Sequence, residues 1–481
     1  MLAPKYRRGG QLVGKFGAIG AIVLTVLAVS APAGAEEAAG NWTGRLPSGF
    51  KVRLRIDKAA TGYNGVLINP SNMETTLESV ASDGTQLSFA VEKLGLRYDG
   101  AWDETGKGWR GDLVFQGSHP LLLQRAVPES TPPRVRKRPQ EDAIASGPRP
   151  YVEREVVFRN GATGIDLAGA LSLPESPGPF PAVVLVSGTG PNTRDEEVDG
   201  HKVFTVLADA LARRGLAVLR YDKRGVGGSG GVYRDATTAD FATDAAAAVR
   251  FLKARPDIDP LRVGVLGHSE GGVIAPLVAA ADPEVAFIVM MAAPAIRGDR
   301  LFVAQSAKVA RLYGAPEAYV AGRQALDRDL YAAVLAAPTA EAARAGAKAI
   351  IVRGVESKLV DPGEAEGLAK SITSPWQRHF LGHDPAPVLR GLKTPVLAVY
   401  GGLDAQVPAA DNVSVAREVL KGGRDASVVE LPGLNHLLQR AETGSPQEYA
   451  EIDETISPQA LDLMASWIVD RIRKGDAPAA R

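Results

Sequence analysis

Arg262-Val-Gly-Val-Leu-Gly-His-Ser-Glu-Gly-Gly-Val-Ile-Ala-Pro-Leu-Val-Ala-Ala-Ala281 decides how this chain reads. Arg262–Leu266 is a short apolar strand, and Val273–Ala281 is an apolar helix. Between them Gly267-His268-Ser269-Glu270-Gly271 matches G-x-S-x-G. Glycines there let a strand turn sharply into a helix and leave a serine hydroxyl exposed at the tip. The pattern alone is weak: chance gives about 0.3 matches in a chain of this composition. A second match, Gly227-Gly228-Ser229-Gly230-Gly231, proves the point. Loop-like Val232-Tyr233-Arg234-Asp235 follows it, so only Ser269 has the strand–turn–helix context.

Working outward, the same rhythm repeats on both sides. Strands are expected at Pro181–Val186, Leu216–Tyr221, Val285–Met291, Pro395–Tyr400 and Ser427–Leu431. Helices are expected at Phe204–Arg214, Phe241–Ala254, Asn412–Leu420 and Pro458–Arg473. Continuous apolar strands alternating with helices imply a doubly wound, mostly parallel sheet over residues 151–475. Residues 297–390 interrupt it with Ala-, Arg- and Leu-rich helical sequence. Such an insertion in a doubly wound sheet sits above the strand ends, as a lid would.

A serine hydroxyl needs a base. Of six histidines, His119 belongs to the N-terminal region, His201 precedes the first helix, and His268 lies inside the turn. His379 and His383 fall in the insertion. His436 follows the last strand, where a loop over the strand ends belongs, and is the expected base. The base needs an orienting carboxylate. Asp404, just past Tyr400-Gly401-Gly402-Leu403, is the expected acid, with Asp299 in reserve. The chain order is Ser269, Asp404, His436. Two amides should hold a developing oxyanion: that of Glu270 and that of Thr189, or of Gly188 beside it. Ser187-Gly188-Thr189-Gly190 lacks the lysine and the spacing of a phosphate loop. The Glu270 side chain is read as a helix cap, or as a grip for a substrate cation. This chemistry calls for no metal and no cofactor.

Composition narrows the rest. Lys plus Arg and Asp plus Glu number 55 each, so no global field favours nucleic acid or an anionic membrane. There is no cysteine, which excludes disulfides and thiolate sites. Lys5, Arg7 and Arg8, an apolar run over Ala18–Val29, and Ala33-Gly34-Ala35 read as a signal peptide over 1–35. That implies a periplasmic or extracellular protein with no stable membrane insertion after cleavage. Residues 40–125 carry short strands split by Asp83-Gly84 and Asp99-Gly100, suggesting a small all-β sandwich or barrel. Trp42, Trp102 and Trp109 there are read as core, or as a ligand platform. The Pro- and Arg-rich stretch 126–150 reads as a linker.

These residues together resemble bacterial α/β-hydrolase esterases of the serine aminopeptidase and dienelactone hydrolase groups. The resemblance rests on Ser187–Asp195, Arg220–Gly227, Gly267–Gly272, Asp384–Pro387, Gly401–Pro408 and Leu434–Leu438. It covers about residues 150 to 475. Thr193 departs from it, at a position often held by Asp. It implies a carboxylesterase for small acyl esters with short acyl chains and Ser269, Asp404 and His436 as its triad. Two rivals remain in view: an exopeptidase using the same triad, and a ligand-binding module whose hydrolase part is inert.

Overall fold

The computed structural model describes residues 37–46, 51–68, 74–91, 96–114, 118–126, 137–422 and 425–474. The stretch read as a signal peptide lies outside them.

The first unit is all antiparallel. Its strands are β1 (Gly40–Arg45), β2 (Lys51–Lys58), β3 (Tyr63–Ile68), β4 (Glu74–Thr76), β5 (Ser79–Ser82), β6 (Gln86–Val91), β7 (Leu96–Asp103), β8 (Gly108–Val114) and β9 (Ser118–Arg125). They pair in the order β4-β3-β2-β1-β9-β8-β7-β6-β5. The two end strands are neighbours in the chain. At their junction Leu77 N–H donates to Gly65 O at 2.9 Å and Glu78 N–H to Ala90 O at 2.8 Å. The run 74–82 thus belongs to both edges and curls the sheet into a barrel. Trp42 and Trp109 are 1% and 0% exposed inside it. Trp109 meets Trp42 at 5.9 Å and Trp102 at 5.2 Å, edge to face. Such contacts are a core arrangement.

One difference appears inside 126–150. Helix α1 (Pro139–Ser146) occupies part of the stretch read as linker. Pro139 stands in its first turn, where a missing N–H costs nothing. Ile144 is buried, and Gln140 Nε2 donates to Ile456 O at 2.9 Å. The proline count hid a short helix held by contacts distant in sequence.

The second unit is the α/β part. Its strands are β10 (Tyr151–Asn160), β11 (Ile165–Pro174), β12 (Phe180–Val186), the short β13 (Glu197–Val198) and β14 (His201–Lys202), β15 (Ala217–Tyr221), β16 (Ile258–His268), β17 (Ile288–Met291), β18 (Val396–Gly401) and β19 (Ala426–Leu431). The main sheet runs β10-β11-β15-β12-β16-β17-β18-β19. From β15 to β19 it is parallel; β10 and β11 are antiparallel additions at one edge. The fold is therefore the mostly parallel, doubly wound sheet expected.

Burial follows the pleat. Ala182, Val184 and Val186 of β12 face one core, with α3 (Thr238–Lys253) and α4 (Glu270–Ala281). Val183 and Leu185 face the other, with α2 (Val203–Ala212) and α12 (Pro458–Lys474). Both faces are apolar, so the strands read as unbroken hydrophobic runs. Thr237 and Asp240 form a reciprocal capping box that starts α3.

The insertion is helical: α5 (Gly298–Leu312), α6 (Glu317–Ala336), α7 (Ala340–Glu356), α8 (Ala365–Ile372), α9 (Pro375–Gly382) and α10 (Ala386–Gly391). It has a small core of its own, including Leu330, Val334 and Ile351. α11 (Ala409–Leu420) follows β18.

Trp109→Ala should remove about 3–5 kcal/mol from the barrel, by lost transfer energy plus the cavity left behind. A urea titration of the whole chain by far-UV circular dichroism should show an early transition absent from the unsubstituted protein.

Candidate active site

Ser269 sits between β16 and α4 with φ 53° and ψ −117°. This backbone is strained for a side-chain-bearing residue, and surrounding contacts must hold it. Ser269 N–H donates to Met291 O at 2.8 Å, and Gly272 N–H to Ser269 O at 3.0 Å. The flanking glycines are required sterically. A Cβ on Gly267 would strike the backbone of Gly271, and one on Gly271 would strike the carbonyl of Val186.

His436 and Asp404 meet as the sequence suggests. His436 Nδ1 lies 2.8 Å from Asp404 Oδ2, and both residues are buried. The other oxygen of Asp404 accepts from the amides of Gln406 at 2.7 Å and Val407 at 2.8 Å. The carboxylate is thus held by backbone and needs no rotamer search to meet the imidazole. Asn435 braces the base loop by accepting from the amides of Leu437 and Gln439. Ser269, His436 and Thr189 line one cavity of about 290 Å³.

The reserve acid lies elsewhere. Asp299 is paired with Arg297 and lines a second, larger cavity of about 930 Å³ on the other side of α5. That cavity touches Asp404 but not Ser269 or His436. Ser229 is also accounted for: its Oγ donates to Asp222 O at 2.7 Å and accepts from Ala168 N–H at 3.0 Å. It is a loop brace, and neither hydrogen bond leads towards a base.

The oxyanion donors separate cleanly. Gly188 N–H is already engaged, donating to Glu196 Oε1 at 2.5 Å. Thr189 N–H has no acceptor among the described residues. Neither does Glu270 N–H, at the first position of α4, where helix geometry supplies no partner. Thr189 rather than Gly188 therefore has a donor to offer.

The Glu270 side chain differs from both readings of it. It is 1% exposed and neither caps a helix nor opens to the cavity. Its Oε2 pairs with Lys223 Nζ at 3.2 Å. Its Oε1 accepts from Thr238 Oγ1 at 2.8 Å and from Trp376 Nε1, on α9, at 2.7 Å. A buried carboxylate needs such partners, and Lys223, 47 residues away, supplies the charge.

Glu196 was not anticipated. It is 2% exposed, and its Oε1 also lies 3.0 Å from His268 Nδ1. His268 Nε2 in turn lies 3.1 Å from His436 O. One carboxylate therefore ties the Gly188 loop, the serine turn and the base loop. Burial pushes the His268 imidazole down, but the Glu196 charge and hydrogen bond outweigh it, so the net direction is up. The residues lay in view within Ser187–Asp195 and Arg220–Gly227 or just beyond, but nothing local reveals their partners.

A serine at a strained strand–helix turn, above a parallel sheet and beside a loop-borne His–Asp pair, defines an α/β-hydrolase. A family model described as serine aminopeptidase, S33, matches residues 198–329. Esterase EstD of Thermotoga maritima is 29% identical over 320 residues, 66% of this chain and 69% of that protein. An uncharacterized protein of Pseudomonas aeruginosa is 34% identical over 139 residues, 28% of this chain but only 35% of that protein. A solved esterase of Pyrococcus furiosus superposes with a TM-score of 0.42 at 16% identity, covering 67% of this chain and 91% of that one. The named matches are to hydrolases and esterases, and the fold of this chain is that of the α/β-hydrolases.

A raised imidazole pKa favours the folded state below the ordinary value of about 6.5, and that contribution is lost as pH rises through the raised value. Glu196→Gln removes the largest raising causes, leaving burial opposed only by the His436 carbonyl and the Asp404 charge. The difference in melting temperature between the two proteins should be widest near pH 5.5 and narrow towards pH 9. A gap independent of pH would mean that His268 is not the group responsible.

Proposed function

We propose that the chain is an exported serine carboxylesterase acting on small acyl esters through an acyl-enzyme on Ser269. Ser269 Oγ attacks the ester carbonyl while His436 takes its proton. Asp404 accepts from His436 Nδ1–H and stabilises the imidazolium. The amides of Thr189 and Glu270 hold the oxyanion, each worth roughly 10²–10³ in rate. His436 then returns the proton to the leaving alcohol, and water releases the acid.

The observation that carries this reading is the single cavity shared by Ser269, His436 and Thr189, with Asp404 behind His436 at 2.8 Å. Part of its wall is apolar, formed by Leu301, Phe302, Trp376, Phe380, Leu437 and Pro294. About 290 Å³ suits a short acyl chain and a small alcohol.

The exopeptidase alternative needs a free carboxylate for a substrate's α-amino group. Glu270 does not serve, because Lys223, Thr238 and Trp376 occupy both its oxygens. The insertion contributes no acid to the cavity wall; the carboxylate that does line it, Glu196, has its Oε1 committed to Gly188 and His268. The binding-module alternative loses its aromatic platform, since Trp42 and Trp109 fill the barrel interior. Export rests on the sequence pattern of residues 1–35 alone.

Hydrolysis of p-nitrophenyl acetate, butyrate and dodecanoate should fall sharply with the longest chain. Ser269→Ala should lose at least about 10³-fold in kcat, and Asp404→Asn a comparable amount. Ser229→Ala should keep turnover and lose only about 1 kcal/mol of stability. An aminoacyl p-nitroanilide turned over faster than the esters would favour the peptidase reading. Full activity in Ser269→Ala would remove the nucleophile assignment.

A further inference from the structure

The Gly188–Thr189 peptide is gripped from its carbonyl side. Lys223 Nζ donates to Gly188 O at 2.6 Å, and Asn192 Nδ2 donates to the same oxygen at 2.8 Å. In a trans peptide the C=O and the following N–H point to opposite sides of one plane. Whatever fixes Gly188 O therefore fixes the direction of Thr189 N–H. A cation on the carbonyl also withdraws electron density through the amide, making that N–H a stronger donor.

Lys223 reaches the second donor as well. Its ammonium is 3.2 Å from Glu270 Oε2, on the residue whose amide opens α4. It is 3% exposed, and lies 4.4 Å from the centroid of the Phe241 ring. Burying a lysine is costly, and a buried ion pair is commonly no more stabilising than apolar side chains of the same volume. Stability alone gives this position little reason to hold a charge.

We propose that Lys223 is the positioning residue of the oxyanion hole: it orients and polarises the Gly188–Thr189 peptide and anchors Glu270, so that one cation sets both donors. This rests on the assignment of the Thr189 and Glu270 amides to the oxyanion. Trp376 extends the linkage to the insertion through its bond to Glu270 Oε1. The substrate does not touch Lys223; the effect passes through a backbone plane.

The test uses the full chain with p-nitrophenyl acetate and a butylboronic acid inhibitor, whose tetrahedral adduct places an oxygen in the oxyanion hole. Lys223→Met should lower kcat about 10²–10³-fold with KM within about threefold, and weaken boronate binding by a like factor. Lys223→Gln keeps a donor without the charge and should lose only about tenfold. Because Lys223→Met strands the Glu270 charge, Lys223→Met/Glu270→Gln is made beside it; it keeps both backbone amides and should be equally slow. A folded Lys223→Met or double variant with near-normal kcat and unchanged boronate affinity would overturn the proposal. A KM rise with kcat intact would do so too. Ser269→Ala run in parallel separates the two layers. If it is inactive while the Lys223 variants are normal, only the positioning role fails; if it remains active, the nucleophile reading fails and takes this proposal with it.

Discussion

The packing of α4 against β12 is the constraint on which the site depends. Gly271 lies so close to the Val186 carbonyl that no side chain fits between them. With the helix that near, the chain leaves β16 in one residue, and that residue is Ser269 at φ 53°. The strain is local, while the forces that hold it are distributed. The parallel strands β12, β16 and β17 are buried on both faces, and Ser269 N–H is tied to the end of β17. A strained turn persists only when its neighbours over-determine it.

Around that turn lie two buried carboxylates with different partners. Glu196 joins the Gly188 amide to His268, and His268 joins the His436 carbonyl. Glu270 joins Lys223, Thr238 and Trp376. Each meets a cation or an imidazole drawn towards its charged form, as burial of a charge requires. Their shared neighbour is Gly188, held at its N–H by Glu196 and at its C=O by Lys223. Polar networks of this kind specify geometry through the groups they satisfy; here Glu196 works through Oε1 alone, its Oε2 being buried without a partner among the described residues. Here the geometry specified is that of three loops which the sheet alone would leave independent.

Much of this was legible in the sequence because the signals are local. Continuous apolar runs marked β12, β15, β16 and β18, and G-x-S-x-G between strand and helix marked Ser269. Position past a strand marked Asp404 and His436, which the structure brings together. What escaped was non-local or masked by composition. β10, with Glu153, Arg154 and Glu155 in its middle, lies at an exposed sheet edge and lacks an apolar period. α1 sits in a proline- and arginine-rich stretch and gains its hold from residues some 314 positions away. The Glu270 side chain looked like a cap because its partner, Lys223, is 47 residues away in sequence. Buried ion pairs leave no periodic mark, so only the three-dimensional arrangement reveals them.

The barrel has a consequence of another kind. A sheet edge is a row of unsatisfied amides and carbonyls that a second chain can extend. Because the run 74–82 pairs with β3 on one side and β6 on the other, the two end strands of this unit, β4 and β5, are only three and four residues long and continuous in the chain. Edges so short and bent offer a second chain little length to pair with, which limits templating between copies of the barrel.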